Sequence, residues 1–160
     1  MPPFSSLLMP FRSSTSAPRL PPGYRLQLQP ELRWERLNQL LESNGDRPRP
    51  DERWRLALER SSWYLGVCRE DGELVGFLRV TSDLALNANI WDLLVDLEDA
   101  AWEEVMTALV QTALMRLKRE MAGCSVSLAA PPAAINALTR AGFQVDPGGI
   151  RAMGLSLGKL

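Results

Sequence analysis

A chain of 160 residues is long enough to bury one domain-sized core, and 46% hydrophobic with 23% charged residues is ordinary for a globular protein. The absence of histidine excludes a Ser-His-Asp triad, a Cys-His pair and a histidine-ligated metal. The net charge of −1 is uneven: residues 1–30 contain Arg12, Arg19 and Arg25 and no acid, so the remainder carries −4, which argues against a nucleic-acid partner, and no apolar run approaches the roughly 20 residues of a membrane helix.

Residues 1–22 are rich in Ser and Pro and lack acids, which predicts a disordered tail preceding a domain at 23–160. Arginine and serine without acids is also transit-peptide composition, so organelle targeting is the alternative to a cytoplasmic location. Met9 offers a later start. Tyr24–Leu28 alternates as a strand and stops before Pro30. Leu32, Leu37, Leu40 and Leu41 then share a stripe, predicting a helix over 32–43 that ends at Asn44-Gly45. After the link DRPRP, Pro50-Asp51 opens a second helix with Trp54, Ala57 and Leu58 inward.

Two strands, Trp63–Arg69 and Leu74–Val80, flank Asp71-Gly72, a hairpin signal. Asn89–Val95 forms another strand. A long helix covers about Ala100–Met121, with a glycine stop at Gly123. Ser125–Ala129 reads as a strand and Ala133–Ala141 as a short helix. Phe143–Val145 and Arg151–Leu157 read as a final strand pair around DPGG. The order is β-α-α-β-β-β-α-β-α-β-β, an α/β layered architecture with a mixed sheet. Cys68 and Cys124, each in an apolar run, read as buried reduced thiols.

The segment DGELVGFLRVTSDLALNANIWDLLV resembles the second hairpin and fourth strand of the GNAT superfamily of acyl-CoA-dependent N-acetyltransferases. Gly76, Arg79, Val80, Ser82, Asp83, Asp92, Leu93 and Val95 carry the match. ALTRAGF, Ala137–Phe143, resembles the family's closing Gly-Phe helix. The resemblance, over about Tyr24 to Leu157, implies a three-layer fold: a mixed, mostly antiparallel sheet with helices on both faces. It further implies that the strands ending at Val95 and Ala129 are parallel neighbours that splay apart. A pantetheine arm would then bond backbone near Leu93, Leu94 and Val95. The pyrophosphate of acetyl-CoA would rest on free N–H groups at the long helix's start, since a helix N-terminus binds anions.

The family loop, (R/Q)-x-x-G-x-(G/A), falls on Ala100, Glu103 and Val105, or one residue on, on Ala101, Glu104 and Met106. Together with Trp102 these residues are the expected cofactor contacts. Either register replaces the central glycine by glutamate, which costs close backbone approach and adds like-charge repulsion. Asp99, Glu103 and Glu104 read equally as macrodipole-stabilising acids of a first helical turn. Where many family members place a tyrosine proton donor, this chain has Leu138. Asp92 is the candidate base and Asn89 a candidate for orienting amide or water. Asp92 alternates with apolar Ile90 and Leu94, which points equally to a buried hydrogen-bonding role. Arg79, Asp83 and Asp92 form either an ion-pair set or a substrate contact. The tryptophans Trp34, Trp54, Trp63, Trp91 and Trp102 read as core or groove wall. The resemblance implies acetyl transfer to a small-molecule or peptide amine, without a metal. A GNAT-fold binding or regulatory module without turnover is the alternative, and an unrelated α/β domain explains the element order less well.

Overall fold

The computed structural model describes residues 19–157. A five-stranded sheet carries the strands in chain order: β1 (Tyr24–Leu28), β2 (Trp63–Arg69), β3 (Leu74–Ser82), β4 (Asn87–Val95) and β5 (Ser125–Ser127). The first three pairings are antiparallel and β4 runs parallel to β5. Helices α1 (Trp34–Ser43) and α2 (Asp51–Glu59) cover one face, with Leu37, Leu40, Leu41 and Trp54 packed against Leu74, Phe77 and Leu94. Helix α3 (Trp102–Glu120) covers the other, burying Val105, Met106, Leu109 and Ala113 against Leu65, Val67, Val75, Leu78, Val80 and Ile90. Helix α4 (Ile135–Arg140), after a 3-10 turn at Pro132–Ala134, adds Ala137 and Leu138 to that core. The three-layer arrangement expected from the resemblance is therefore present.

Each layer follows from the sequence pattern. The leucine stripe of α1 is its buried face. The β2–β3 turn uses Gly72 at φ +86°, a conformation open to glycine, and Arg69 N–H closes it on the Glu73 carbonyl at 2.9 Å. Gly123, at φ +91°, lies just beyond α3. Ahead of β1, Leu20 already packs against the α3-side core. Residues 1–18, which hold most of the expected tail, lie outside the described residues.

The last predicted strand pair is not formed. Phe143–Val145 carries no ladder, and the chain winds instead into a 3-10 turn at Pro147–Gly149. Asp146, Gly148 and Gly149 all take left-handed φ, and Pro147 has no N–H to give a ladder. Residues 151–157 stay outside regular structure, with Met153, Leu155 and Leu157 at 97%, 87% and 95% exposure. Their alternation meets no surface that would repay ordering them. Among the described residues the sheet therefore ends at β5.

One glycine fixes how closely α3 approaches the sheet. A Cβ on Gly76 would come within 2.5 Å of Val105 Cγ1 and 2.9 Å of Leu109 Cδ1. Helix α3 thus seats directly on the β3 backbone. Gly76→Ala forces that helix outward and is expected to cost about 1–3 kcal/mol, as overpacking does. Thermal and urea unfolding of the parent and variant check this, and an unchanged midpoint would show that α3 is not held by this contact.

Candidate active site

The sheet opens into a fork. Strands β4 and β5 are paired only through Asn87–Ser125, Ala88–Val126 and Asn89–Ser127. Strand β4 continues to Val95 on its β3 partner, while β5 ends at Ser127. A gap with free strand edges is left between Ile90–Val95 and the chain beyond Ser127. Such a gap admits an extended ligand arm that bonds backbone groups. The expected divergence of these two parallel strands is what the structure shows.

A bulge sits on the β4 side of the gap. The β3–β4 register passes from Arg79–Trp91 to Phe77–Leu94, so Asp92 and Leu93 face one residue of β3. Asp92 takes φ +53°, a strained conformation for a residue with a side chain. The alternation read from the sequence breaks here. Ala88 and Ile90 pack toward α3, and so do Leu93 and Val95 after the bulge, while Leu94 joins the α1–α2 cluster. Asp92 accordingly does not share the face of Ile90. Its Oδ1 meets Arg49 Nη2 at 2.8 Å and its Oδ2 meets Arg79 Nε at 2.6 Å. Both carboxylate oxygens are thus engaged by guanidinium groups, and the Asp92 side chain is 8% exposed.

The ion-pair set differs in membership from the expected one. Asp83 is absent from it: its Oδ1 accepts the N–H groups of Ala85, Leu86 and Asn87 at 2.8–3.0 Å. Those donors hold its carboxyl at about 2, below the usual range. Arg49 takes the vacant place. It lies in the DRPRP link, where nothing in the sequence marks it as a partner of β4. Asn38 on α1 fixes this link: its Oδ1 accepts from Arg49 N–H at 2.9 Å and Trp54 Nε1 at 2.8 Å.

Around the fork's closed end lies an open stretch of the α1–α2 face. Trp91 is 44% exposed there. Its Nε1 donates to Thr81 Oγ1 at 2.8 Å, and the Arg79 guanidinium stands 5.8 Å from its ring centre. Asn89 reaches across the gap, Nδ2 to Ser127 Oγ, at 2.7 Å. Of the other tryptophans, Trp54 and Trp63 are buried and Trp34 and Trp102 pack partly against the two cores.

At the wide end of the gap the chain from Asp96 winds into α3. Asp99 N–H bonds the Asp96 carbonyl and Trp102 N–H bonds the Asp99 carbonyl, each at 3.1 Å. Asp99 is buried and works as a staple rather than a surface helix acid. Its Oδ1 accepts from Ala101 N–H at 2.9 Å and from Tyr24 Oη at 2.7 Å, with Arg69 Nη1 3.6 Å from Oδ2. The Asp99 hydrogen bond, more than burial, pushes the Tyr24 hydroxyl pKa up. The sequence reading missed Tyr24 and Arg69, which lie far from this loop along the chain.

The loop still presents donors. Among the described residues, no acceptor takes the N–H groups of Ala100, Glu103 or Glu104, and all three residues are exposed. They are the unsatisfied donors of a helix start. Ala101 is buried with its N–H held by Asp99, and Trp102 N–H is also taken. Of the expected loop contacts, Ala100, Glu103 and Glu104 therefore offer free N–H groups and Ala101 and Trp102 do not. Along β4, the Val95 carbonyl accepts from Asn44 Nδ2 at 2.9 Å. Leu138 is buried in the α3 core. Among the described residues no group of three or more Cys, Asp or Glu has metal-binding geometry.

Comparisons with known proteins fit this architecture. The Acetyltransferase (GNAT) family profile matches residues 29–143. The uncharacterized N-acetyltransferase ycf52 of Porphyra purpurea is 32% identical over 122 residues, 73% of this chain and 68% of that protein. The chloroplastic GCN5-related N-acetyltransferase 2 of Arabidopsis thaliana is 36% identical over 88 residues, 55% of this chain and 33% of that one. Among solved structures, SA2161 of Staphylococcus aureus superposes with a TM-score of 0.68 at 18% identity, covering 82% of this chain and 99% of that one. Escherichia coli YhbS in complex with CoA gives 0.56 at 17% identity, covering 81% and 74%. With a family match over residues 29–143 and a forked sheet whose wide end meets a helix N-terminus, this chain belongs to the GNAT family of acetyltransferases.

Proposed function

We propose that this protein transfers the acetyl group of acetyl-CoA to an amine presented by a peptide or protein. The observation that carries the reading is the fork, open toward a helix start with three free N–H groups. In this reading, Ala100, Glu103 and Glu104 N–H groups hold the pyrophosphate, and the Leu93–Val95 edge holds the pantetheine arm. The amine attacks the thioester carbonyl directly, so the chain's work is positioning and stabilisation of charge, not covalent catalysis. Asp92, with both oxygens engaged, acts by fixing the bulge, and the amine's proton leaves to water. A polymeric acceptor suits the open, Trp91-bearing face, since small-molecule sites are usually enclosed. A further relative, the histone acetyltransferase TAP1 of Glycine max, is 34% identical over 84 residues, 52% of this chain. Both cysteines are unpaired, which fits a reducing compartment, cytoplasm or plastid.

One observation favours a second reading, a binding module without turnover: the acids Glu103 and Glu104 crowd the anion site. Thermal unfolding with and without acetyl-CoA addresses binding, because a ligand of the native state raises the midpoint. Incubation with acetyl-CoA and a pool of synthetic peptides bearing free α-amines and lysines, read by mass spectrometry, addresses transfer. A raised midpoint with no acetylated peptide would overturn the peptide acceptor, and the same result with a panel of small amines would replace the enzyme reading by the module.

Two substitutions test the site. Glu103→Gly, Glu104→Gly and the double variant should bind CoA more tightly in calorimetric titration, since each removes a repulsion and restores close backbone approach. The cost is about 1 kcal/mol of helix stability per glycine. Parent binding should strengthen as salt rises, and the glycine variants should respond less. Asp92→Asn leaves two partly buried guanidiniums short of an acceptor and is expected to lose about 1–3 kcal/mol of stability. If Asp92 positions the bulge, activity lost in Asp92→Asn is not restored at higher pH. Restoration there would give Asp92 the role of base instead.

A further inference from the structure

The clamp at Asp92 uses only part of Arg79. Its Nε donates to Asp92 Oδ2 at 2.6 Å. Among the described residues no acceptor takes either of its Nη groups, and both reach solvent although the side chain is only 16% exposed. The planar group therefore keeps one edge free. Two parallel donors on that edge match the two oxygens of a carboxylate.

The free edge belongs to the α1–α2 face of the sheet. Phe77, two residues earlier, packs into the α1–α2 cluster, while Leu78 and Val80 pack toward α3. Arg79 stands opposite Trp91 across the β3–β4 ladder, with its guanidinium 5.8 Å from the half-exposed ring. The charges around it are unevenly shared. Arg49 has two carboxylates, Asp92 at 2.8 Å and the exposed Asp46 at 3.3 Å. Arg79 has only its share of Asp92. Asp83, just past the end of β3, is held by N–H groups of its own loop. A mostly buried guanidinium that shares its one carboxylate is short of negative charge, and such a shortage is costly away from water. The place also suits an acceptor. In the reading above the pantetheine arm lies on Leu93–Val95, directly after Asp92, so an amine that comes to the arm along the Trp91 face brings its neighbouring groups past Arg79.

We infer that Arg79 binds a carboxylate of the acceptor, which makes the preferred substrate a peptide with Asp or Glu beside the amine that is acetylated. The inference rests on the acetyl-transfer reading above. Arg79 takes no part in bond making and stays protonated throughout. It selects the acceptor through its Nη edge while its Nε holds the bulge.

The test uses the full chain, acetyl-CoA and pairs of synthetic peptides that differ only in Glu or Gln next to the acetylated residue. For the parent, kcat/KM should be about tenfold higher with the Glu peptide, the lower end of what a hydrogen bond to a charged group contributes. The difference should lie in KM and shrink as salt rises. Arg79→Gln should bring the Glu peptide down to the level of its Gln partner. Arg79→Lys should keep part of the preference, since the charge stays and the paired donors are lost. The ratio of the two peptides is read within each variant, so a loss of folded protein, which lowers both rates alike, does not imitate the result. If Arg79→Gln fails to fold, the parent ratio, its salt dependence and Arg79→Lys decide. Equal rates with the two peptides in the parent, or a preference that survives in Arg79→Gln, overturns the role of Arg79 and leaves acetyl transfer standing. Acetylation of neither peptide by a parent that binds acetyl-CoA overturns this inference together with the peptide acceptor.

Discussion

The bulge at Asp92 is the constraint on which the site depends. A residue with a side chain is held at φ +53° because its carboxylate is gripped from two sides, by Arg49 from the α1–α2 link and by Arg79 from β3. Each guanidinium is mostly buried and needs a counter-charge, so the three groups are retained together. The bulge reverses which residues of β4 face α3. It lies beyond the last β4–β5 pair, Asn89–Ser127. The same ion pairs tie the approach to α2 onto the sheet. Asp92, the candidate base in the sequence, is held in the structure by two guanidinium groups at the bulge.

The charge pattern at the other end of the gap runs against its expected ligand, and the structure separates two kinds of acid there. Asp99 is internal. It accepts from Ala101 N–H and Tyr24 Oη and lies near Arg69, so it links β1, β2 and the loop. Glu103 and Glu104 are external and bond to nothing across the loop, yet their own N–H groups are the free donors. Backbone attraction and side-chain repulsion thus come from the same residues. The donors sit at the helix start, whereas the charge of the exposed glutamates is screened by salt. In the proposed reading, CoA binding depends on how far those side chains yield, which glycine in the same place would not need to do.

Much of the fold was legible in the sequence because local signals agreed. The leucine stripe of α1, the Asp71-Gly72 turn and the glycine after α3 each marked an element that the structure shows. The parallel β4–β5 fork was legible only through family resemblance, since no local pattern records which strands are neighbours. The final strand pair was misread because alternation at Met153, Leu155 and Leu157 records only that a strand face is available, not that a surface receives it. At the site, the position of Asp92 was legible but its orientation was not. A bulge breaks the period of two on which any reading of faces rests. Arg49, Tyr24 and Arg69 were missed for another reason. They reach the site from distant segments, and charge alone does not name its partner.

Asn89 shows how a residue picked out for one reason serves through another. In the sequence it is a candidate for orienting amide or water, and in the structure its amide donates to the Ser127 hydroxyl on the neighbouring strand. The bond closes the fork at its narrow end, as the Asp92 clamp shapes it further along. From Ile90 to Val95 the edge of β4 has no β5 partner, and a buried unpaired edge is costly unless a ligand or solvent fills it. Beyond Asn89 the β4 edge has no β5 partner, and its backbone groups on that side are left for a ligand or solvent.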